Sequence, residues 1–274
     1  MNERRQSSPV TAVFVVVSLV FLFVPLLVVV LFSFNSIGSL SLPFRGFSLR
    51  WYRQVFESPV FRSSLRSSAI VATATAVSTL ILGTLAAYAL SRARTRWRAP
   101  LALVLFLPLT LPGLFIGLSL LVLFGEAEVS LSLTTVAIAH LVYVMPYFLL
   151  IAVAALQRLD PALEEAGADL GANGWLVFTR VTLPQVWPVL MGATFLAFAL
   201  SFDEFVITFF VIGPESTLPM FIFSSLRRTV DPSINAISTL LLAITLALFA
   251  GSFYLTLRGG RRSVIAVTGE TGSA

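Results

Sequence analysis

Residues 160–184 read DPALEEAGADLGANGWLVFTRVTLP and lie between two long apolar runs, 129–156 and 186–212. The stretch has the marks of a folded element. Asp160 can cap a helix, and Pro161 suits the first helical position, where no backbone N–H is needed. Glu164 and Glu165 complement the positive end of that helix. Ala162, Leu163, Ala166 and Leu170 form a small apolar face, and Gly171 and Gly174 can end the helix. The expected order is a short helix, a glycine-bounded turn, a second amphipathic piece, and Pro184 at the entry to the next apolar run. A compact helix displayed between two such runs is a docking element.

The flanking runs belong to a series. Of the 274 residues, 57% are hydrophobic and only 11% charged, against about 25% charged in a soluble domain. Apolar runs cover about 10–34, 67–90, 99–124, 129–156, 186–212 and 234–257. Each provides the roughly 20 residues with which a helix crosses a hydrocarbon core about 30 Å thick. A closed barrel would show alternating segments of about ten residues instead. The expected fold is therefore all-α, an integral membrane protein with six transmembrane helices. A single transmembrane domain occupies 1–257, with the 160–184 stretch inside a cytoplasmic loop at 157–185. The first run follows Arg4 and Arg5 as a signal peptide would, but a secretory apolar core is only about 7–15 residues long. With no small-x-small cleavage site, it is read as a retained span. The tail at 258–274 has Gly, Ser and Thr without an apolar period, and is expected to be disordered.

The net charge is +5, and all eighteen basic residues are arginine. With the N-terminus inside, eleven arginines fall in cytoplasmic segments and seven in outer ones. Arg92, Arg94, Arg96 and Arg98 carry most of the bias. Both termini are thus expected to be cytoplasmic, and the positive charge is accounted for by loops, not by nucleic-acid binding. The absence of cysteine excludes disulfides and thiolate sites. The absence of lysine excludes a Gly-x-x-x-x-Gly-Lys-[Ser/Thr] phosphate loop, so any ATPase must be a partner.

Several positions stand out within the apolar runs. Pro108, Pro112, Gly113 and Gly117 predict a kink in the third, turned towards neighbouring helices or a path rather than lipid. Close packing of small residues is the other reading. In the outer segment 35–66, Leu49, Trp51, Tyr52, Val55 and Phe56 alternate with Arg50, Arg53 and Glu57, which suits an amphipathic helix lying in the membrane interface. Asp203 and Glu204 sit inside the fifth run, roughly 25 Å from its cytoplasmic end at about 1.5 Å per residue. Carboxylates at that depth face either a partner on a neighbouring helix or a water-filled path, and both readings stand. Because adjacent residues point about 100° apart on a helix, Asp203 is the first choice for the path. Tyr143 and Tyr147 on the fourth run can line the same path or simply pack. His140 is the only histidine. It lacks companions for a metal site, and a structural hydrogen bond across helices is expected of it. No catalytic set emerges, and a secondary transporter would show internal repeats and have no use for a docking helix.

The 160–184 stretch resembles the EAA loop of bacterial ABC-importer permeases: Glu-Ala-Ala, three residues, Gly, six residues, Phe, two residues, an aliphatic, one residue, Leu-Pro. Here these are Glu165, Ala166, Gly167, Gly171, Phe178, Val181, Leu183 and Pro184, with Gly167 the one departure. Ser201-Phe202-Asp203-Glu204-Phe205-Val206-Ile207, Phe209-Phe210, Gly213-Pro214, Leu218-Pro219 and Gly46-Phe47-Ser48-Leu49-Arg50-Trp51-Tyr52 are similar to the C-type permease of spermidine/putrescine importers. The resemblance implies a type I ABC-importer permease in a bacterial inner membrane. It makes Glu164, Glu165, Ala166, Gly167, Gly171, Phe178, Leu183 and Pro184 an ATPase-coupling loop. It implies a dimer of ATP-binding subunits, a second homologous permease and an external substrate-binding protein as partners in the bilayer. No cofactor is expected on this chain, ATP and Mg being used by the ATPase. The implied cargo is a polyamine, moving past Asp203, Glu204, Tyr143 and Tyr147. Related permeases carry iron(III), thiamine or phosphonates and supply the alternative cargoes.

Overall fold

The computed structural model describes residues 9–36, 44, 46–92, 96–228 and 233–268. Its regular elements are helices, in the order α1 Pro9–Ser33, α2 Arg50–Glu57, α3 Pro59–Arg92, α4 Arg98–Phe106, α5 Gly113–Glu126, α6 Leu133–Gln157, α7 Pro161–Asp169, α8 Gly174–Val177, α9 Leu183–Asp203, α10 Val206–Val211, α11 Leu218–Arg228 and α12 Ser233–Thr268. A 3-10 turn, Leu107–Thr110, follows α4, and a π turn, Phe178–Thr182, joins α8 to α9. Among the described residues, five helical stretches are long and apolar enough to cross a bilayer, and a bent pair makes a sixth when its two helices are taken as one span. The chain is therefore the all-helical membrane protein that its composition predicts.

Two expected spans are broken. The run 99–124 is not one helix: Arg98–Thr110 and Gly113–Glu126 meet at 110°. Pro112 disfavours helical geometry in the residue before it, and Leu111 is extended at ψ 132°. Pro108 and Pro112 also remove two helical N–H donors. The run 186–212 is interrupted as well. Here α9 ends at Asp203, Glu204 is extended at ψ 120°, and α10 begins at Val206. Broken backbone at membrane depth must be satisfied by protein. The Thr135 hydroxyl donates to the Val211 carbonyl at 2.8 Å, and the Thr208 hydroxyl to the Glu204 carbonyl at 2.9 Å.

Other boundaries move too. The second span is longer than 67–90, because α3 starts at Pro59. At the other end α12 runs on to Thr268, so residues 258–268 are helical, not disordered. No proline interrupts them, and the preceding turns of α12 serve as their nucleus.

Contacts group the chain into two compact units, residues 1–62 with 222–242 and residues 63–221 with 243–274. In the first, the segment after α1 folds back on it. The backbone N–H of Ser36 donates to the Gly46 carbonyl at 3.0 Å, and that of Ser48 to Phe34 at 2.7 Å. Gly46 takes φ +120°, open only to glycine without strain. The Trp51 indole N–H donates to the Asn35 carbonyl at 2.7 Å, and the Tyr52 and Ser33 hydroxyls meet at 2.7 Å. So α2 exists, and its Trp51 and Val55 are buried in protein. The sequence pattern gives an apolar face without saying what covers it.

In the second unit, Ala87, Phe148, Leu149, Ala152, Leu156, Val186, Leu190 and Ala193 join α3, α6 and α9 in one buried cluster. Gly83 permits this: a Cβ there would stand 2.6 Å from a Phe148 ring carbon. A second cluster, with Val71, Ile116, Phe124, Val136, Ala139, Ile207 and Val211, joins α3, α5, α6 and α10. There Gly117 lies against Phe210 and the Ile207 backbone, which a Cβ would meet at 2.9 and 3.1 Å.

Candidate functional site

The loop between α6 and α9 is built as its residues dictate. The Asp160 carboxylate accepts from the Ala162 N–H at 3.0 Å and Pro161 opens α7. Gly171, at φ +85°, ends the turn after α7. Gly174 does not stop a helix. It starts one, capped by the Asn173 side chain, which accepts from the Leu176 N–H at 2.9 Å. From there the helical path runs unbroken from Gly174 to Asp203. Pro184 stands in the first turn of α9, at the entry to that span as expected, within this longer helical path. Its ring excludes a normal helical turn before it, which is where the π turn Phe178–Thr182 stands. The Gln185 side chain donates to the Val181 carbonyl at 2.7 Å.

The two adjacent glutamates part company. Glu164 turns inward: the Arg92 Nε stands 3.0 Å from one of its oxygens, and the Thr182 hydroxyl donates to the other at 2.8 Å. Glu165 and Ala166 are exposed. Gly167 faces Val177 and Val181, and a Cβ there would lie in ordinary contact at 3.4 and 3.6 Å. Phe178 is buried, its ring 4.8 Å from that of Tyr88 on α3, and Leu183 packs on the first cluster. The outward surface carries three large apolar side chains, Leu163, Trp175 at 67% exposure and Leu170 at 90%.

The carboxylates of the fifth run sit at its break. Glu204 Oε1 accepts from the Ile207 N–H at 2.9 Å, so this side chain caps α10. Asp203, one residue earlier, is exposed and has no hydrogen bond or ion pair among the described residues. Tyr143 and Tyr147 lie edge to face on α6, with ring centroids 5.6 Å apart. The carboxylates lie between Ser201 and Thr208, which His140, one turn before Tyr143 on α6, bonds on both sides of the break. The four candidate path residues are thus brought together, from α6 and from the end of α9. His140, one turn before Tyr143, is buried between Ser201 and Thr208, 2.8 Å from each hydroxyl, and makes the cross-helix bonds expected of it.

Residues 79–258 match the family of binding-protein-dependent transport system inner membrane components. The chain belongs to this family. It is 36% identical, over 94% of both chains, to the putrescine transport system permease protein PotI of Escherichia coli strain K12. It is 31% identical, over 89% of its own length and 95% of the relative's, to the spermidine/putrescine transport system permease protein PotC of Haemophilus influenzae. Among solved structures, a bacterial ABC transporter that imports the acidic polysaccharide alginate aligns with TM-score 0.71 at 14% identity, covering 89% of this chain and 92% of that one. The MetNI methionine ABC transporter aligns with TM-score 0.62 at 15% identity, covering 72% and 94%.

Membership fixes the class. The chain is a multi-pass inner-membrane permease subunit of an ABC-type importer, a transport component and not an enzyme. Within that class, Arg92, Tyr88 and Thr182 join the loop residues, and Ser201 and Thr208 the acidic break. No sequence spacing ties Arg92 to Glu164, 72 positions on. Ser201 stands inside the quoted family stretch, but nothing there distinguishes it from any helical serine.

Proposed function

We propose that this permease forms half of the translocation path of a polyamine importer, with Asp203 as an anionic station along it. The observation that carries this reading is the exposed carboxylate of Asp203, unpaired among the described residues, at a helix break that His140 ties to the Tyr143 and Tyr147 helix, in a chain whose relatives are named for putrescine and spermidine transport. A polyamine sheds part of its water to enter such a path. An opposing carboxylate offsets that cost, and aromatic faces attract ammonium groups. Glu204 differs: its carboxylate is occupied with the α10 backbone.

The remaining parts follow the same reading. Residues 157–185 dock on an ATP-binding subunit, with Glu165, Ala166, Leu170 and Trp175 facing it while Phe178 and Leu183 anchor the loop. Both termini are cytoplasmic. A sister permease completes the path, an external binding protein delivers cargo, and ATP with Mg is consumed by the ATPase dimer.

The test is putrescine uptake by proteoliposomes holding the assembled importer. Asp203→Asn lowers uptake at least about tenfold, equivalent to about 1.4 kcal/mol, with assembly intact. Glu204→Gln keeps an acceptor for the Ile207 N–H and does less. Normal uptake in both variants and in the double variant would remove these carboxylates from transport. Uptake of thiamine or iron(III) but not putrescine would replace the cargo.

A further inference from the structure

Ser201 lies on α9 just before the break in the fifth span, and Thr208 on α10 just after it. His140, from α6, reaches both. Its Nδ1 is 2.8 Å from Ser201 Oγ and its Nε2 is 2.8 Å from Thr208 Oγ1. All three residues are buried, His140 to 1% exposure. The hydrogen-bond network assigns the ring protons. The Thr208 hydroxyl donates to the Glu204 carbonyl at 2.9 Å, so its one proton is committed. Nε2 must then carry the hydrogen that it shares with Thr208. Nδ1 is left as the acceptor, and the Ser201 hydroxyl donates to it. One neutral imidazole thereby ties the arm before the break to the arm after it, with both ring nitrogens satisfied.

We propose that His140 is a positioning residue for transport: it fixes the angle between α9 and α10 and so fixes where Asp203 is presented. The proposal rests on the reading of Asp203 as the path carboxylate. An apolar side chain of similar volume would fill the same space. It could not resist a turn of one arm against the other, because no bond would break. With histidine in place, such a turn strands a hydroxyl and a ring nitrogen in apolar surroundings, a cost greater than the net worth of either bond.

The chain has no cysteine, so spin labels can be placed on it selectively. Cysteines replacing Phe195 and Phe209, exposed side chains on α9 and α10, report the distance across the break in the assembled importer. With His140 present a single narrow distance is expected. His140→Leu should broaden it and raise the KM for putrescine at least about fivefold, the scale of one lost hydrogen bond. His140→Gln, whose amide both donates and accepts, should recover most of both effects. Where His140→Leu fails to assemble, Ser201→Ala, which removes one bond to the ring, and Thr208→Val, which removes one to the ring and one to the Glu204 carbonyl, give the same two readings. An unchanged distance would overturn the proposal. A normal KM in His140→Leu beside an impaired Asp203→Asn would overturn it alone. Normal uptake by Asp203→Asn would overturn the acidic station and the proposal with it.

Discussion

Arg92 Nε stands 3.0 Å from a carboxylate oxygen of Glu164, so the last residue of α3 grips the first helix of the loop. The pair is largely withdrawn from solvent, with side chains 21% and 18% exposed, and Thr182 closes it from a third element.

Breaking that pair leaves one charge with no partner in a confined place. Arg92→Ala or Glu164→Ala should each cost about 2–3 kcal/mol, seen as a lowered melting temperature of the purified importer. The exchange Arg92→Glu with Glu164→Arg should recover part of the loss. Glu165→Arg should leave the melting temperature of the isolated chain unchanged while weakening co-purification of the ATPase. Normal co-purification and normal uptake with Glu165→Arg would mean that this face of α7 docks nothing.

The loop's two conspicuous glycines have opposite prospects. Gly167 is helical with room for a methyl group, so Gly167→Ala should stabilise the chain by about 0.5–1 kcal/mol. Gly171 has open space but φ +85°, and Gly171→Ala should cost about 1 kcal/mol through the backbone alone. Paired thermal melts of the two variants decide the matter, and a common sign would refute the contrast.

Gly83 permits close approach instead. The Cβ of Gly83→Ala would fall 2.6 Å from the buried Phe148 ring and 3.3 Å from the Met145 sulfur. The strain should cost about 1–3 kcal/mol, and a smaller partner, Phe148→Leu, should relieve some of it. A double-mutant cycle on thermal stability reads this coupling, and strictly additive effects would count against the contact.

Topology can be read directly. A reporter inserted at Gly174 should register in the cytoplasm and one at Glu57 outside. A cytoplasmic signal at Glu57 would invert the assignment made from the arginine bias.

The sequence made the membrane class plain because a 20-residue apolar requirement leaves a coarse, unmistakable trace. The 160–184 stretch was legible because capping is local: Asp160 and Pro161 act within their own turn. The breaks were only half legible. Pro108 and Pro112 announced a distortion, but a 110° bend depends on what α5 packs against. Nothing in the composition of 186–212 marks Glu204 as a terminus, since a glutamate that caps and one that faces a path are written alike. The His140 bridge was foreseen as a kind of bond without its partners, which lie 61 and 68 residues away. The partner of Trp51 was hidden for a related reason: the pattern gave an apolar face, and nothing in it named the Asn35 carbonyl that the indole reaches.

Gly117 sits with its Cα against the side chain of Phe210 and the backbone of Ile207. Helices that close have no slack between them, and a lateral slip would drive main chain into main chain. α5 and α10 are therefore expected to move as one block. With His140 bracing the break at Glu204, the extended joint Leu111–Pro112 is left to supply the give between this block and α4.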